Sequence, residues 1–142
     1  MELMLTIVIL GITAAIAIPT YRGYVAESRI HVTIHGIRQI ELLVVDYASS
    51  TGVYPDSLSE VGADQLLDPW GRPFQYLNIA NSGNAAKGHQ RKDKFLVPVN
   101  SDFDLYSLGE DGVSSPPFTA KGSRDDIVRA NNGAYIGPAE HY

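Results

Sequence analysis

Three carboxylates in one loop are the residues best placed to do chemistry. The segment SLGEDG, residues 107–112, is followed by Asp125-Asp126-Ile127, and the stretch between is polar with few apolar side chains. Calcium takes six to eight oxygens from carboxylates, carbonyls and water. Asp111, Asp125 and Asp126 are candidate ligands, with the Leu108 carbonyl as a backbone donor. The pattern is not an EF-hand, because Asp102, Asp104 and Asp111 lack that loop's spacing and its terminal Glu. On composition alone, a solvated acidic loop explains these residues as well as a metal does. Glu27, His31 and His35 lie four apart, a helical spacing that can hold zinc but that more often marks plain surface. Ser, His and Asp occur with no spacing that suggests a triad, and there is neither a nucleophile elbow nor a phosphate-binding loop. The sequence reads as that of a non-enzyme.

A fourth carboxylate poses a different problem. Glu2 stands at the head of an uncharged run, residues 3–18, closed by Pro19. The run is just short of the ~20 residues that span a bilayer. It is too uniformly apolar for one face of a soluble helix. It lacks the basic start and cleavage site of a secretory signal. A carboxylate at the end of such a run is costly without a partner, and an amine is the natural one.

The elements that must position these groups follow from periodicity. Ile30, Ile34, Ile37, Ile40, Val44 and Tyr47 recur at three- and four-residue steps, the stripe of a helix. With the apolar run this predicts one helix of about fifty residues, roughly 75 Å long, ended by Gly52 as C-cap. Pro19 is expected to kink it or loosen the preceding turn, and Gly11 and Thr13 to weaken the stretch before it. Beyond it, a short helix is expected at 58–61 and strands at 74–79, 94–99 and 103–108, with Pro98 marking the second as short or an edge. Residues 81–93 read as a polar hairpin or loop, residues 109–132 as a long loop, and residues 130–142 as an extended tail open to contacts between neighbouring subunits. The fold class is α+β: a long N-terminal helix on a small antiparallel sheet. Residues 1–24 form the apolar helical part and residues 25–142 the globular domain, which includes the second half of the helix.

Composition agrees. Charged residues are 19% of the 142, below the usual quarter, because the apolar run contributes none. A net charge of −5 argues against nucleic acid as a partner, which requires a basic patch; KGHQRKDK, residues 87–94, is a solvated basic loop on this reading. With no cysteine, disulfides and thiolate sites are excluded. A small domain outside the cytoplasm then needs a metal or an oligomer as its staple.

The opening MELMLTIVILGITAAIAIPTYRGY resembles the N-terminal segment of type IV pilins and type II secretion pseudopilins, with Glu2, Gly11 and Pro19 at matching spacings. Further motifs narrow the likeness. Tyr54-Pro55, then Asp68-Pro69-Trp70-Gly71, then Ser107-Leu108-Gly109-Glu110-Asp111-Gly112 and Asp125-Asp126-Ile127 are similar, in order, to the major pseudopilin of type II secretion systems. In physical terms Asp68 bridges a turn that Pro69 fixes and Gly71 completes. Trp70 is expected to pack between helix and sheet.

The resemblance implies a subunit held in the inner membrane and then polymerised into a helical filament, either a periplasmic pseudopilus or an extracellular pilus. The runner-up is a minor pilin-like adhesin or DNA-uptake subunit carried by the same helix. Glu2 then neutralises the N-terminal amine of a neighbouring subunit. A prepilin peptidase removes a leader and methylates the new amine, and the secretion or pilus machinery assembles the homopolymer. The family pattern places a basic leader and a few residues ahead of Met1, so the sequence starts within the mature chain or is processed differently. Calcium is the implied cofactor, at Leu108, Asp111, Asp125 and Asp126.

Overall fold

The computed structural model describes residues 2–83 and 88–142. Residues 84–87 of the expected 81–93 loop lie outside that range, as does Lys87 of the basic cluster. So does Met1, whose amine is one partner in the expected pairing.

Helix α1 runs from Glu2 to Thr51. It is continuous through Pro19, so the expected loosening does not interrupt it. Pro19 lacks only the N–H that would bond the Ala15 carbonyl. The threonines of the apolar half satisfy themselves. Thr6 donates to the Leu3 carbonyl at 2.8 Å, Thr13 to that of Ile9, and Thr20 to that of Ile16 at 2.9 Å. Back-bonding of this kind hides hydroxyls where no water is at hand. The end of α1 is built as its sequence suggests. Gly52 takes φ 82°, and its N–H donates to the Ala48 carbonyl at 2.9 Å, while the hydroxyls of Ser49, Ser50 and Thr51 cap the carbonyls of Val45 and Tyr47.

The second half of α1 lies on a four-stranded antiparallel sheet, ordered β1 (Gln75–Asn78), β2 (Phe103–Ser107), β3 (Ile127–Ala130) and β4 (Tyr135–Pro138). Ile37, Ile40 and Val44 are fully buried against Phe74, Phe103, Leu105 and Ile127. Ile30 and Ile34 pack at the margin of this core. A short 3-10 turn, Leu58–Val61, fills the position expected of a short helix. On the other face of the sheet a second cluster joins Val99, Phe118, Val128, Ala130 and Ala139. Strand β3 alternates between the two, which is the period of a strand covered on both sides.

Three expectations are corrected. Residues 94–99 are not a strand. Pro98 offers no ladder N–H, and the segment closes on itself, with Asp93 N–H on the Leu96 carbonyl and Val99 N–H on that of Arg91. The 109–132 region is not loop throughout, because β3 occupies its end. The tail after residue 130 does not extend away. It carries β4, paired with β3 from Ile127↔Pro138 to Ala130↔Tyr135, and Tyr142 packs edge-on against Phe118 at 5.4 Å.

Gly36 sits where α1 passes close to Phe74, just before β1. A Cβ there would lie 2.7 Å from the Phe74 ring. Gly36→Ala should therefore lose about 1–3 kcal/mol to overpacking and regain about 1 kcal/mol in helix propensity. The net expectation is a small loss, read as a lower urea midpoint at unchanged slope. A higher midpoint would show that Phe74 moves aside freely.

Candidate functional site

Residues 2–24 of α1 are exposed throughout. An 18-residue window has mean hydropathy 2.3 and no buried residue. Leu3 is 79% exposed and Leu10 68%. At roughly 25 cal/mol per Å², leaving this surface in water is costly. Glu2 opens the helix as its one acidic residue in the first turn, and Gly11 and Pro19 lie along the exposed rod.

The second site is the acidic loop, and it is braced from the 68–73 turn. Asp68 is buried. Its Oδ1 accepts the N–H groups of Trp70 and Arg72 at 3.0 and 2.9 Å, and its Oδ2 accepts the Ser107 hydroxyl at 2.6 Å. The turn is thus tied to the end of β2, with Gly71 at φ 82°. Pro55 is buried and its carbonyl accepts the Tyr76 hydroxyl at 2.8 Å. Trp70 is half-buried in a groove with Ala26, Ile30 and Ile127, between helix and sheet.

Arg72 then reaches across the loop, donating to the carbonyls of Gly109 at 2.5 Å and Glu110 at 3.1 Å. The loop turns back at Gly109, φ 64°, where a Cβ would collide with Asp125. That close approach brings two of the expected ligands together. Asp125 Oδ2 accepts the Asp111 N–H at 2.9 Å, and Asp111 Oδ1 accepts the Val113 N–H at 2.7 Å. The Leu108 carbonyl accepts the Gly112 N–H at 3.2 Å.

Asp126 points elsewhere. It is fully buried, and its Oδ2 pairs with Arg91 at 2.5 Å and with the Ser114 hydroxyl at 2.5 Å. Burial pushes its carboxyl up to about 6, against the opposing pull of Ser114 and Arg91. Arg91 in turn stacks over the Tyr106 ring at 4.3 Å.

Among the described residues, no three His, Asp or Glu side chains gather as a metal centre. Glu27, His31 and His35 stand exposed along one face of α1. The donor set at Asp111, Asp125 and Leu108 is all oxygen, which suits calcium rather than a softer ion. Two carboxylates and a carbonyl would leave the remaining positions to water.

Sequence reasoning missed the arginines that organise these loops. Arg72 and Arg129 follow motif residues, whereas Arg91 lies inside the 87–94 cluster read as solvated; that reading is corrected, because Arg91 is buried and paired with Asp126. For Arg72 and Arg129 the usable signal was an isolated arginine within a Gly/Pro-rich or apolar stretch, which needs carboxylate or carbonyl partners to be buried; Arg91, among other charged residues, carried none.

The chain is 27% identical to the type II secretion system core protein G of Pseudomonas aeruginosa, over 78% of this chain and 80% of that one. It is 31% identical to a type IV major pilin protein of Neisseria gonorrhoeae, over 92% of this chain and 62% of that one. It is 30% identical to a fimbrial protein of Neisseria meningitidis, over 56% of this chain and 47% of that one. At this modest identity the relatives, a type II secretion core protein and type IV pilins, support a type IV pilin-like superfamily. No family model matches it, and no solved structure matches it significantly. As in the resemblance read from the sequence, this pilin-like chain joins an exposed apolar rod to an α+β domain. The relatives bear the names of structural proteins, not enzymes.

Proposed function

We propose that the chain is a structural subunit that polymerises into a helical filament, a type II secretion pseudopilus or a related extracellular pilus. The observation that carries this is the bare apolar half of α1, attached to a domain whose own core is complete without it. The subunit waits in the inner membrane through residues 3–18 and leaves it when the same surface is covered by neighbouring helices. A prepilin peptidase and the assembly machinery process and add subunits, and the filament lies in the periplasm or outside the cell. Shearing cell surfaces and imaging the released material tests this. Filaments whose mass spectrum is dominated by this chain are expected, whereas recovery of the chain solely in membrane fractions, with no filament, would refute it.

The same reading includes one calcium ion at the loop of residues 108–125. Asp111 and Asp125 are the carboxylate ligands and Leu108 the carbonyl ligand; Asp126 keeps to Arg91. The support is the approach of the Asp125 carboxylate to the Asp111 backbone, on a loop already held by Arg72. When bound, the ion would draw both carboxylates to itself and tie the loop to β2. Adding calcium at a hundredfold over its dissociation constant should then stabilise the domain by about 2.7 kcal/mol. Thermal melts of the chain in detergent, with calcium and with chelator, check this. Asp111→Ala should abolish the difference, Asp126→Asn should retain it, and equal melting of the unaltered chain in both buffers would remove the site.

A further inference from the structure

The tip of the 91–99 loop carries an apolar surface with no partner. Phe95 is 91% exposed, and Leu96 and Val97 beside it are exposed as well. The base beneath them is fixed, because Arg91 and Val99 are buried and joined by the Val99 N–H on the Arg91 carbonyl at 3.2 Å. Lys94 flanks the tip, exposed, and Lys92 is half-buried. Neither lysine forms an ion pair among the described residues.

A second unpartnered surface lies at the C-terminal end of α1. Val45, Ala48, Ser49, Gly52, Val53 and Tyr54 line a shallow cavity of about 260 Å³. Val45 and Val53 are exposed, and so are Asp46 and Asp56, which adjoin its walls in sequence. Residues 39–71 contain no Lys, Arg or His, against Glu41, Asp46, Asp56, Glu60, Asp64 and Asp68. Glu41 is paired with Arg38 and Arg129 and Asp68 is buried, which leaves Asp46, Asp56, Glu60 and Asp64 to set a negative potential here. The two surfaces share no residue. One is apolar with two lysines beside it, Asp93 lying half-buried between them, and the other is apolar with anions beside it.

We propose that residues 92–97 of one subunit dock onto the 45–56 surface of the next, so that the partner is a second copy of this chain. Phe95 enters the cavity, and Lys92 and Lys94 face Asp46 and Asp56. Two different patches make a heterologous contact, which repeats into an open polymer instead of closing as a dimer. Opposite charges fix the register. The proposal rests on the filament reading above and names a contact between globular domains that the apolar helix does not supply.

The test uses the full chain in cells that make filaments. Three variants are compared: Lys92→Glu with Lys94→Glu, Asp46→Lys with Asp56→Lys, and all four together. Each two-residue reversal should cut sheared filament about tenfold, with the membrane-held subunit level and melting temperature unchanged. The four-residue variant should recover most of the yield. Phe95→Ser should also cut the yield about tenfold. Normal yield from either reversal or from Phe95→Ser, or no recovery in the combined variant, would overturn the contact while leaving the filament reading intact. Loss of binding to phosphatidylglycerol vesicles by Phe95→Ser, with yield unchanged, would assign the tip to a lipid surface and overturn it too. Absence of filaments from the unaltered chain would instead overturn the filament reading itself.

Discussion

Glu2→Ala should abolish filament formation while leaving the membrane-held chain folded. Glu2 makes no contact with the globular domain, whose core begins at Ile30. Its removal therefore costs the fold nothing. In the assembled state the argument reverses. The rest of the apolar half of α1 is electrically neutral, and its threonines are bonded to their own backbone. An N-terminal amine brought into that surroundings without a carboxylate carries a penalty of about 3 kcal/mol. That is roughly a hundredfold in each subunit addition, and it recurs at every step. Quantifying sheared filament against membrane-held subunit by immunoblot checks it. Glu2→Ala filament at near-normal yield would mean that the charge has no assembly role.

Replacing Arg129 should have the largest effect on the domain itself. Its guanidinium is 2% exposed and donates to Glu41 of α1 at 2.8 Å. It also donates to both oxygens of Asp102, at 2.9 and 2.6 Å, and to the Phe103 carbonyl at 3.0 Å. It lies over the Phe103 ring at 4.0 Å. One side chain thus fastens the helix, β3 and the entry to β2. Arg129→Ala leaves Asp102 without its cation and opens a void under Phe103. Breaking a buried pair in this way costs about 3–5 kcal/mol, a large part of the ~5–15 kcal/mol that holds a domain together. Arg129→Lys should recover only part of it, because an ammonium cannot address two carboxylates and a carbonyl in one plane. Urea unfolding followed by Trp70 fluorescence reads both. An Arg129→Ala midpoint equal to that of the unaltered chain would show that Arg38, which donates to the Gly133 carbonyl at 3.1 Å, carries the link alone.

The helix was legible because its signal is long and local. Sixteen or so apolar residues, a stripe at helical period and a glycine stop need no tertiary information. The 68–73 turn was legible for the same reason, since Asp68 bonds the N–H groups of Trp70 and Arg72 close by in sequence. Strand β3 was hidden, because Arg129 interrupts an apolar run of four residues and its partners lie on α1 and before β2. Strand β4 was hidden by Gly137 and Pro138, which read as loop. They serve there because β4 is the edge of the sheet. At the acidic loop the composition pointed to three carboxylates in one place. The two lie at a bend just before β3, where Asp125 meets the Asp111 N–H while Asp126 turns inward to Arg91. That division depends on Arg91 arriving from a distant loop, which no local pattern announces.

The central claim is that the exposed half of α1 is the polymer's core. A helical reconstruction of filaments sheared from cells tests it most directly. Residues 3–18 should lie near the filament axis, packed against the same residues of neighbouring subunits, with Glu2 beside a neighbour's amine and the four-stranded domains outside. The stretch 11–19 is where packing strain should stretch the helix, if it does so anywhere. A map with the domains at the axis and the apolar helices pointing outward, or a chain that forms no polymer while its α1 stays in lipid, would contradict the account.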